Sequence, residues 1–326
     1  MIYRLYGDFI RGRVAGTTPT PSPLWSAAEQ RITSGYDAGQ TFIPAGLIPR
    51  VLRIVPTDST RAMYCIQAVW TGTDPLKGAV ETVYAVRESG HWVLLGAINV
   101  NTAAWSRVTF GPITYIYPPT HRFDSAKARA AIAFTDSLVD RFGVRSLPRL
   151  DYYLARSGDD ALGLQGIDNY QKYPGVVGGM AAPGRIMEGD PSQGENYRHE
   201  LVHQMLAPLT ANGRTDYLVE EGVAVWLGGT KGMSYDSARR VLGAQLLAHP
   251  AVSLDSIPGT LDWSQGTVGA VLIQMVFEKR GMAGVRSLYG VGTTTGTDKA
   301  VFENVLGAPW AEIKRAWRSA ATAGLP

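Results

Sequence analysis

Two histidines four residues apart, with a glutamate directly after the first, are the residues whose types and spacing point most clearly to chemistry in this 326-residue sequence. They are His199, Glu200 and His203. On an α-helix, residues i and i+4 lie on the same face, so both imidazoles could meet one metal ion. Glu200 lies about 100° round the helix from His199, where its carboxylate could reach a water at that metal without being a ligand. Histidine is a mediocre helix former, so helix stability gives no reason for this pattern.

A carboxylate on the next predicted helix would complete a metal site. A catalytic zinc ion takes three protein ligands and keeps a fourth position open for water. The segment 218–226 follows a short turn, so its helix can run back past the first and present a carboxylate from the adjacent residues Glu220 and Glu221. The pattern predicts one Zn²⁺ per chain, held by His199, His203 and one of these two glutamates.

The sequence His-Glu-x-x-His, followed by Glu-Gly-x-Ala-x-Trp, resembles the gluzincin metallopeptidases, which include the aminopeptidase N-like and thermolysin-like groups. It is most similar to the compact bacterial peptidases described as MA-like, and the resemblance spans residues 113–290. The resemblance implies hydrolysis of a peptide bond by a water that zinc activates, with Glu200 as the general base that later delivers the proton to the leaving amine. It places the glutamate ligand directly before the glycine, which selects Glu221 and leaves Glu220 as a solvated charge or an outer partner of the site.

Two positions near the predicted centre depart from the gluzincin pattern. Thermolysin-like enzymes often carry an acid one turn after the ligand glutamate, where this chain has Val225. Aminopeptidase N-like enzymes stabilise the oxyanion with a tyrosine, where this chain has Trp263, whose indole N–H can donate a hydrogen bond but cannot act as an acid. Trp263 and Tyr235 are the additional predicted catalytic residues, and Tyr197 and Tyr289 are further candidates. Trp263 could equally be a core aromatic residue at the start of its helix.

A glycine-containing stretch, residues 177–188, lies where gluzincins have the strand that pairs with an extended substrate. A peptide could add there as a further strand, and Gly178 and Gly179 would allow close approach, although glycines also mark ordinary turns. Aminopeptidases place an acid just after the Gly-x-Met of this strand, whereas Met180 is followed by two alanines. The resemblance therefore favours an endopeptidase-like enzyme over an aminopeptidase, with a peptide or protein as the substrate.

The resemblance implies that residues 111–326 form one thermolysin-like domain, with a small mixed sheet followed by a mainly helical half. A helix from about 124 to 143 and the strands 113–117, 150–154, 176–180 and 185–188 are predicted for the first part. The helices predicted for the second part are 197–207, 216–227, 235–248, 265–280 and 309–320. Gly228 and Gly281 are suitable helix stops.

Residues 1–110 are predicted to form an α+β accessory domain, which makes the whole chain an α+β protein of two domains. A helix is predicted from Ser22 to Ile32, with Ser22 as the cap and proline at the first helical position. Strands are predicted at 51–55, 63–70, 82–87 and 92–100, and a hairpin turn joins the last two. A helix followed by an antiparallel meander resembles the cone-shaped fold of the nuclear-transport-factor-like superfamily, on the order of elements alone.

Composition narrows the range of partners. The net charge is +3 and no run of five or more basic residues occurs, so nucleic acid is not an expected partner. No apolar run approaches the roughly 20 residues that a membrane helix needs. Cys65 is the only cysteine, which excludes an internal disulfide and a cysteine zinc site. The first residues do not have the pattern of a signal peptide, but the chain could be an exported mature form, so the compartment and the oligomeric state stay open.

Two functions from different classes are compatible with these residues. The first is an endopeptidase-like zinc hydrolase with an N-terminal accessory domain. The second is a zinc-containing but catalytically weak protein that captures peptide without turnover. The presence of Glu200 beside an open coordination position favours the enzyme, and Trp263 favours the binding protein.

Overall fold

The structure is a computed structural model and belongs to the α+β class. It describes residues 1–14, 22–32, 47–72, 78–169, 178–182, 184–210, 217–257, 264–289 and 298–325. Contacts divide the chain into a first compact unit, Met1–Arg122 with Arg149–Pro191, and a second, Phe123–Pro148 with Ser192–Pro326. The domain boundary predicted between residues 110 and 111 stays a prediction, because units defined by contacts do not show which segments fold independently.

The first unit contains an antiparallel sheet whose main strands follow one another in chain order. These strands are β1 (Ile48–Pro56), β2 (Met63–Thr71), β3 (Gly78–Glu88) and β4 (His91–Gly96), and the strand β8 (Ile167–Asn169) also pairs with β3. Ser89 and Gly90 join β3 to β4 with φ values of 47° and 84°, the two positive values that a type I′ hairpin turn requires. The strands predicted at 51–55, 63–70 and 82–87 are confirmed as parts of β1, β2 and β3.

Two predicted elements of this unit differ from the observed ones. The strand predicted at 92–100 is wrong after Gly96, where the helix α3 (Ala97–Asn101) buries the side chain of Ile98. The helix predicted from Ser22 begins only at Ala27, because the backbones of residues 24 and 26 are already hydrogen-bonded to Leu94 of β4. A segment that pairs with a strand cannot at the same time form the first turn of a helix.

Two further helices accompany the antiparallel sheet. They are α1 (Ile2–Val14), which was not predicted, and α2 (Ala27–Ile32). Tyr6 and Phe9 of α1 pack into a buried cluster with Trp25, Ile66 and Leu94, and the rings of Phe9 and Trp25 meet edge to face at 5.2 Å. This cluster is the core of the N-terminal part of the first unit.

The first unit also contains a mixed five-stranded sheet, in the order β5-β6-β7-β10-β9. Its strands are β5 (Ser106–Phe110), β6 (Ile113–Tyr117), β7 (Leu150–Leu154), β9 (Gly179–Ala182) and β10 (Arg185–Glu188). The pairs β6–β7 and β7–β10 are parallel, and the two outer pairs are antiparallel. A small mixed sheet is therefore present, as predicted, although its strand predicted at 176–180 begins at Gly179 among the described residues. Helix α5 (Gly158–Leu164) lies in a segment for which no helix was predicted.

The second unit is helical. Its helices are α4 (Ser125–Phe142), α6 (Arg198–Leu206), α7 (Tyr217–Gly228), α8 (Tyr235–Ala248), α9 (Gln265–Tyr289), α10 (Asp298–Leu306) and α11 (Trp310–Thr322). The Asp124 side chain caps α4 by accepting hydrogen bonds from two backbone N–H groups, and Gly143 ends the helix in the left-handed region. Gly281, predicted as a stop, interrupts α9 with a φ of 61°. No helix in the described part of the chain is both long and apolar enough to cross a membrane.

Candidate metal centre

Helix α6 presents two imidazoles side by side. His199 and His203 are four residues apart on this helix, and their Nε2 atoms lie 3.2 Å from each other. The helix is held in place by apolar residues on its other sides, because Leu201, Val202 and Met205 are almost fully buried. The positions of the two imidazoles are therefore set by a buried, well-anchored helix.

Helix α7 brings a carboxylate to the same point. Glu221 Oε2 lies 3.3 Å from His199 Nε2, and Glu221 Oε1 lies 3.5 Å from His203 Nε2. Within the part of the chain that the structure describes, these three residues form the one group of at least three side chains that could hold a metal ion. The structure thus brings together the three residues that the sequence predicts as ligands.

The spacing of these ligand atoms fits a zinc ion. Zinc bonds to nitrogen and oxygen are about 2.0–2.1 Å long, and tetrahedral angles then place neighbouring ligand atoms about 3.3–3.4 Å apart. The two Nε2 atoms are 3.2 Å apart, and each imidazole faces a different oxygen of Glu221, at 3.3 Å for His199 and 3.5 Å for His203. One ligand atom from each of the three residues lies within 4.8 Å of the other two. Two imidazoles and one carboxylate are also a donor set of catalytic zinc sites, which leave a fourth position for water or substrate.

The backbone of Gly229 fixes the ring of His199. The carbonyl oxygen of Gly229 lies 3.0 Å from His199 Nδ1, so that an N–H at Nδ1 donates to it and Nε2 keeps its lone pair for a metal. Gly229 has a φ of +80°, a left-handed conformation that favours glycine at the end of α7. Sequence reasoning missed this partner, although the Gly-Gly pair after the predicted helix was a visible signal of a left-handed end.

Glycines also set the distances between the helices of the centre. A Cβ on Gly228 would lie 2.5 Å from the backbone nitrogen of His199, so this position must stay without a side chain for α7 to reach α6. A Cβ on Gly222 would lie 2.6 Å from the carbonyl carbon of Gly269 in α9. The glycine that follows Glu221 in the motif therefore has a packing reason: it lets α9 lie directly against the back of α7.

A second carboxylate lies on the outer side of His203. Glu220 Oε1 is 3.6 Å from His203 Nδ1, and the Glu220 side chain is 42% exposed. Burial by itself lowers the pKa of His203, but the surrounding glutamates outweigh it and raise that pKa to about 9 in the metal-free protein. Burial raises the pKa of Glu221, but the two histidines outweigh that effect and the net pKa is lowered.

Glu200 is buried beside the imidazoles. Only 5% of its surface is exposed. Burial raises the pKa of Glu200, while the charges of His199 and His203 act in the opposite direction without cancelling that rise. A carboxylate with a raised pKa is a stronger proton acceptor than an ordinary exposed one.

The aromatic candidates have different surroundings. Trp263 lies outside the described residues. Tyr235 begins α8, and burial raises its pKa to about 12, but the charges that act on it are those of Arg239, Asp236 and Glu278 in the described chain. Its catalytic role stays a prediction.

The two other tyrosines named from the sequence lie closer to the triad. Tyr197 stacks on the ring of His199, with 5.9 Å between the ring centroids. Tyr289 is almost fully buried at the end of α9, and its pKa is raised well above the ordinary value by burial first and then by Glu220 and Glu221. Because the charges of Glu220 and Glu221 both raise its pKa, Tyr289 lies near the helix α7 that carries them.

Comparison with known proteins adds no family assignment. No protein-family model matches the sequence, and no curated protein is significantly similar to it. The class of the protein is therefore inferred from the residues and their geometry.

Proposed function

We propose that this protein is a zinc-dependent peptide-bond hydrolase of the gluzincin type, with endopeptidase-like action. His199, His203 and Glu221 hold the zinc ion, one per chain, and Glu200 is the general base. The observation that carries the proposal is the convergence of two imidazoles of α6 and one carboxylate of α7. The two Nε2 atoms are 3.2 Å apart, and the two Glu221 oxygens lie 3.3 Å from His199 Nε2 and 3.5 Å from His203 Nε2. An ordinary buried ion pair would not need a second imidazole at the same carboxylate.

The residues around the triad divide the chemical work among them. Zinc, when bound, supplies a Lewis acid that polarises a carbonyl and lowers the pKa of water toward about 7. Glu200 takes the proton from the attacking water and passes it to the leaving amine. Its burial supports this role, because a raised pKa moves the carboxyl group closer to the neutral range in which a proton must be both accepted and released.

A hydroxyl donor for the oxyanion is the remaining requirement. Glu220 and Glu221 influence Tyr289 electrostatically, and the ring of Tyr197 stacks on that of His199. Both tyrosines are therefore candidates for this donor, together with Tyr235. Trp263 stays a candidate from the sequence.

A single assay with one matched variant tests the proposed function. Purified protein is incubated with casein and with a quenched peptide library, with and without a chelator, and its zinc content is measured in parallel. The expected result is about one zinc per chain and cleavage that the chelator abolishes. Glu200→Gln keeps the size of the side chain and the three ligands, so we expect it to retain zinc and to lose most of the activity, by about 10²-fold or more.

The same assay distinguishes the alternative function, peptide binding without turnover, from the proposed hydrolase. Trp263 in the place of a tyrosine is the sequence feature that favours a catalytically weak, peptide-binding protein. Retention of zinc, together with peptide binding and no turnover in the parent protein, would select that alternative. Turnover that persists in the chelator would refute both functions as described.

A further inference from the structure

The two ring nitrogens of His203 face two different carboxylates. Nε2 lies 3.5 Å from Glu221 Oε1, and Nδ1, on the opposite side of the ring, lies 3.6 Å from Glu220 Oε1. The two glutamates are adjacent on α7, and neighbouring residues of a helix point about 100° apart. The two adjacent glutamates therefore lie next to different nitrogens of the same imidazole.

The two histidines of the centre therefore have unlike outer partners. His199 has a neutral one, the carbonyl oxygen of Gly229, at 3.0 Å from Nδ1. His203 has a charged one, the carboxylate of Glu220, and the His203 side chain is only 12% exposed. Outer partners of metal-binding histidines fix the tautomer and the orientation of the ring.

We propose that Glu220 is a positioning residue of the metal centre. Its carboxylate holds a proton of His203 at Nδ1 and thereby keeps the Nε2 lone pair directed at the metal position. The adjacent pair Glu220 and Glu221 then divides two tasks, with one residue orienting His203 and the other binding the metal. This inference rests on the proposed function, because it needs the triad to bind zinc.

The exposure of Glu220 allows its role at the metal site to be tested separately from the stability of the fold. Its side chain is partly exposed, so it is not a core residue whose removal would leave a cavity. The distance of 3.6 Å between Glu220 Oε1 and His203 Nδ1 is longer than in an ordinary hydrogen bond, so the negative charge of the carboxylate beside the Nδ1 proton is the property to be tested. Glu220→Gln removes that charge and keeps the shape, whereas Glu220→Ala removes both.

Metal affinity in the full-length protein tests the inference. The zinc dissociation constant is measured by competition with a chromophoric chelator for the parent, for Glu220→Gln and for Glu220→Ala. We expect zinc binding to weaken by about 10–100-fold in the variants, with Glu220→Ala at least as weak as Glu220→Gln. Glu312→Gln, which removes the same charge from an exposed glutamate of α11, is the matched control and should bind zinc like the parent.

Cobalt substitution adds a signal that a merely structural role would not change. The visible absorption of bound Co²⁺ depends on the orientation of its ligands, so the bands should shift in Glu220→Gln and not in Glu312→Gln. Zinc binding in Glu220→Gln that is as tight as in the parent, with an unchanged cobalt spectrum, would overturn the role of Glu220 and leave the proposed function standing. A parent protein that binds no zinc would instead refute the metal centre itself, and this role with it.

Discussion

Replacing Gly228 by alanine should weaken metal binding by separating the two ligand helices. A Cβ at this position would lie 2.5 Å from the backbone nitrogen of His199 and 2.7 Å from its Cα, whereas ordinary contact begins near 3.4 Å. Both atoms belong to the backbone, so no side chain can rotate away, and α6 and α7 must separate by about 0.9 Å. Metal–ligand distances tolerate only about 0.2 Å. We therefore expect zinc affinity to fall by about 10–100-fold and stability to fall by about 1–3 kcal/mol from overpacking.

Gly163→Ala is the matched control for this substitution. Gly163 also lies in a helix, α5, and a Cβ there would have nothing within 4 Å. Alanine is a better helix former than glycine, so Gly163→Ala should raise stability by about 0.5–1 kcal/mol and leave zinc binding unchanged. Urea unfolding measures the stability of both variants, and chelator competition measures their zinc affinity. Zinc binding by Gly228→Ala as tight as that of the parent would refute the reasoning, because the separation of the helices would then have no effect on the ligands.

Four further outcomes are expected, three at the proposed metal site and one at a hydrogen bond of α7. His203→Ala should lose the bound zinc, as measured by metal analysis after dialysis, and an unchanged zinc content would remove His203 from the ligands. The pKa of His203 is about 9 in the metal-free protein, so zinc binding at pH 7 should release its proton. Calorimetry in buffers of different ionisation heat counts the released protons. Zinc binding without proton release would contradict the raised pKa. Because the pKa of His203 is raised in the fold, its charged form stabilises the metal-free protein below pH 6.5, and this stabilisation is lost as the pH rises to 9. The apoprotein should therefore melt at a lower temperature at pH 9 than below pH 6.5, and this difference should be smaller in His203→Ala. Trp226→Phe removes the 2.6 Å hydrogen bond from the indole to Gln274 and should cost about 1 kcal/mol in denaturant unfolding; a stability equal to the parent's would show that the bond contributes nothing.

Elements with a strong local pattern were predictable from the sequence. The strands β6 and β7 have the predicted bounds, and α8 runs over the predicted residues 235–248. The short helix α3 was not predictable, because Ile98 and Val100 are β-branched residues that favour strands. The hydrogen bonds that Asn99 and Asn101 donate from this helix go to residues 29, 163 and 164, which are distant along the chain. The late start of α2 has a similar cause, since it depends on backbone pairing with Leu94, which lies far away along the chain.

At the candidate metal centre, the sequence by itself determined the arrangement of the residues on one helix. The period of an α-helix places His199 and His203 on one face and Glu200 beside them, whatever the rest of the fold does. Which of the adjacent glutamates, Glu220 or Glu221, faces the two imidazoles is not set by the period of one helix. It depends on how α7 is rotated and how closely it approaches α6.

The resemblance to the gluzincins indicated Glu221, but the physical reason for that choice lies in the tertiary structure. Gly222 against Gly269, and Gly228 against the backbone of His199, set the approach of α7 to its neighbours. With that approach, Glu221 faces both Nε2 atoms and Glu220 faces the outer nitrogen of His203. The carbonyl of Gly229, which holds His199, is a backbone group and has no side chain by which a sequence could reveal it. Local spacing fixes contacts within a helix, whereas contacts between helices depend on packing between segments that are distant along the chain.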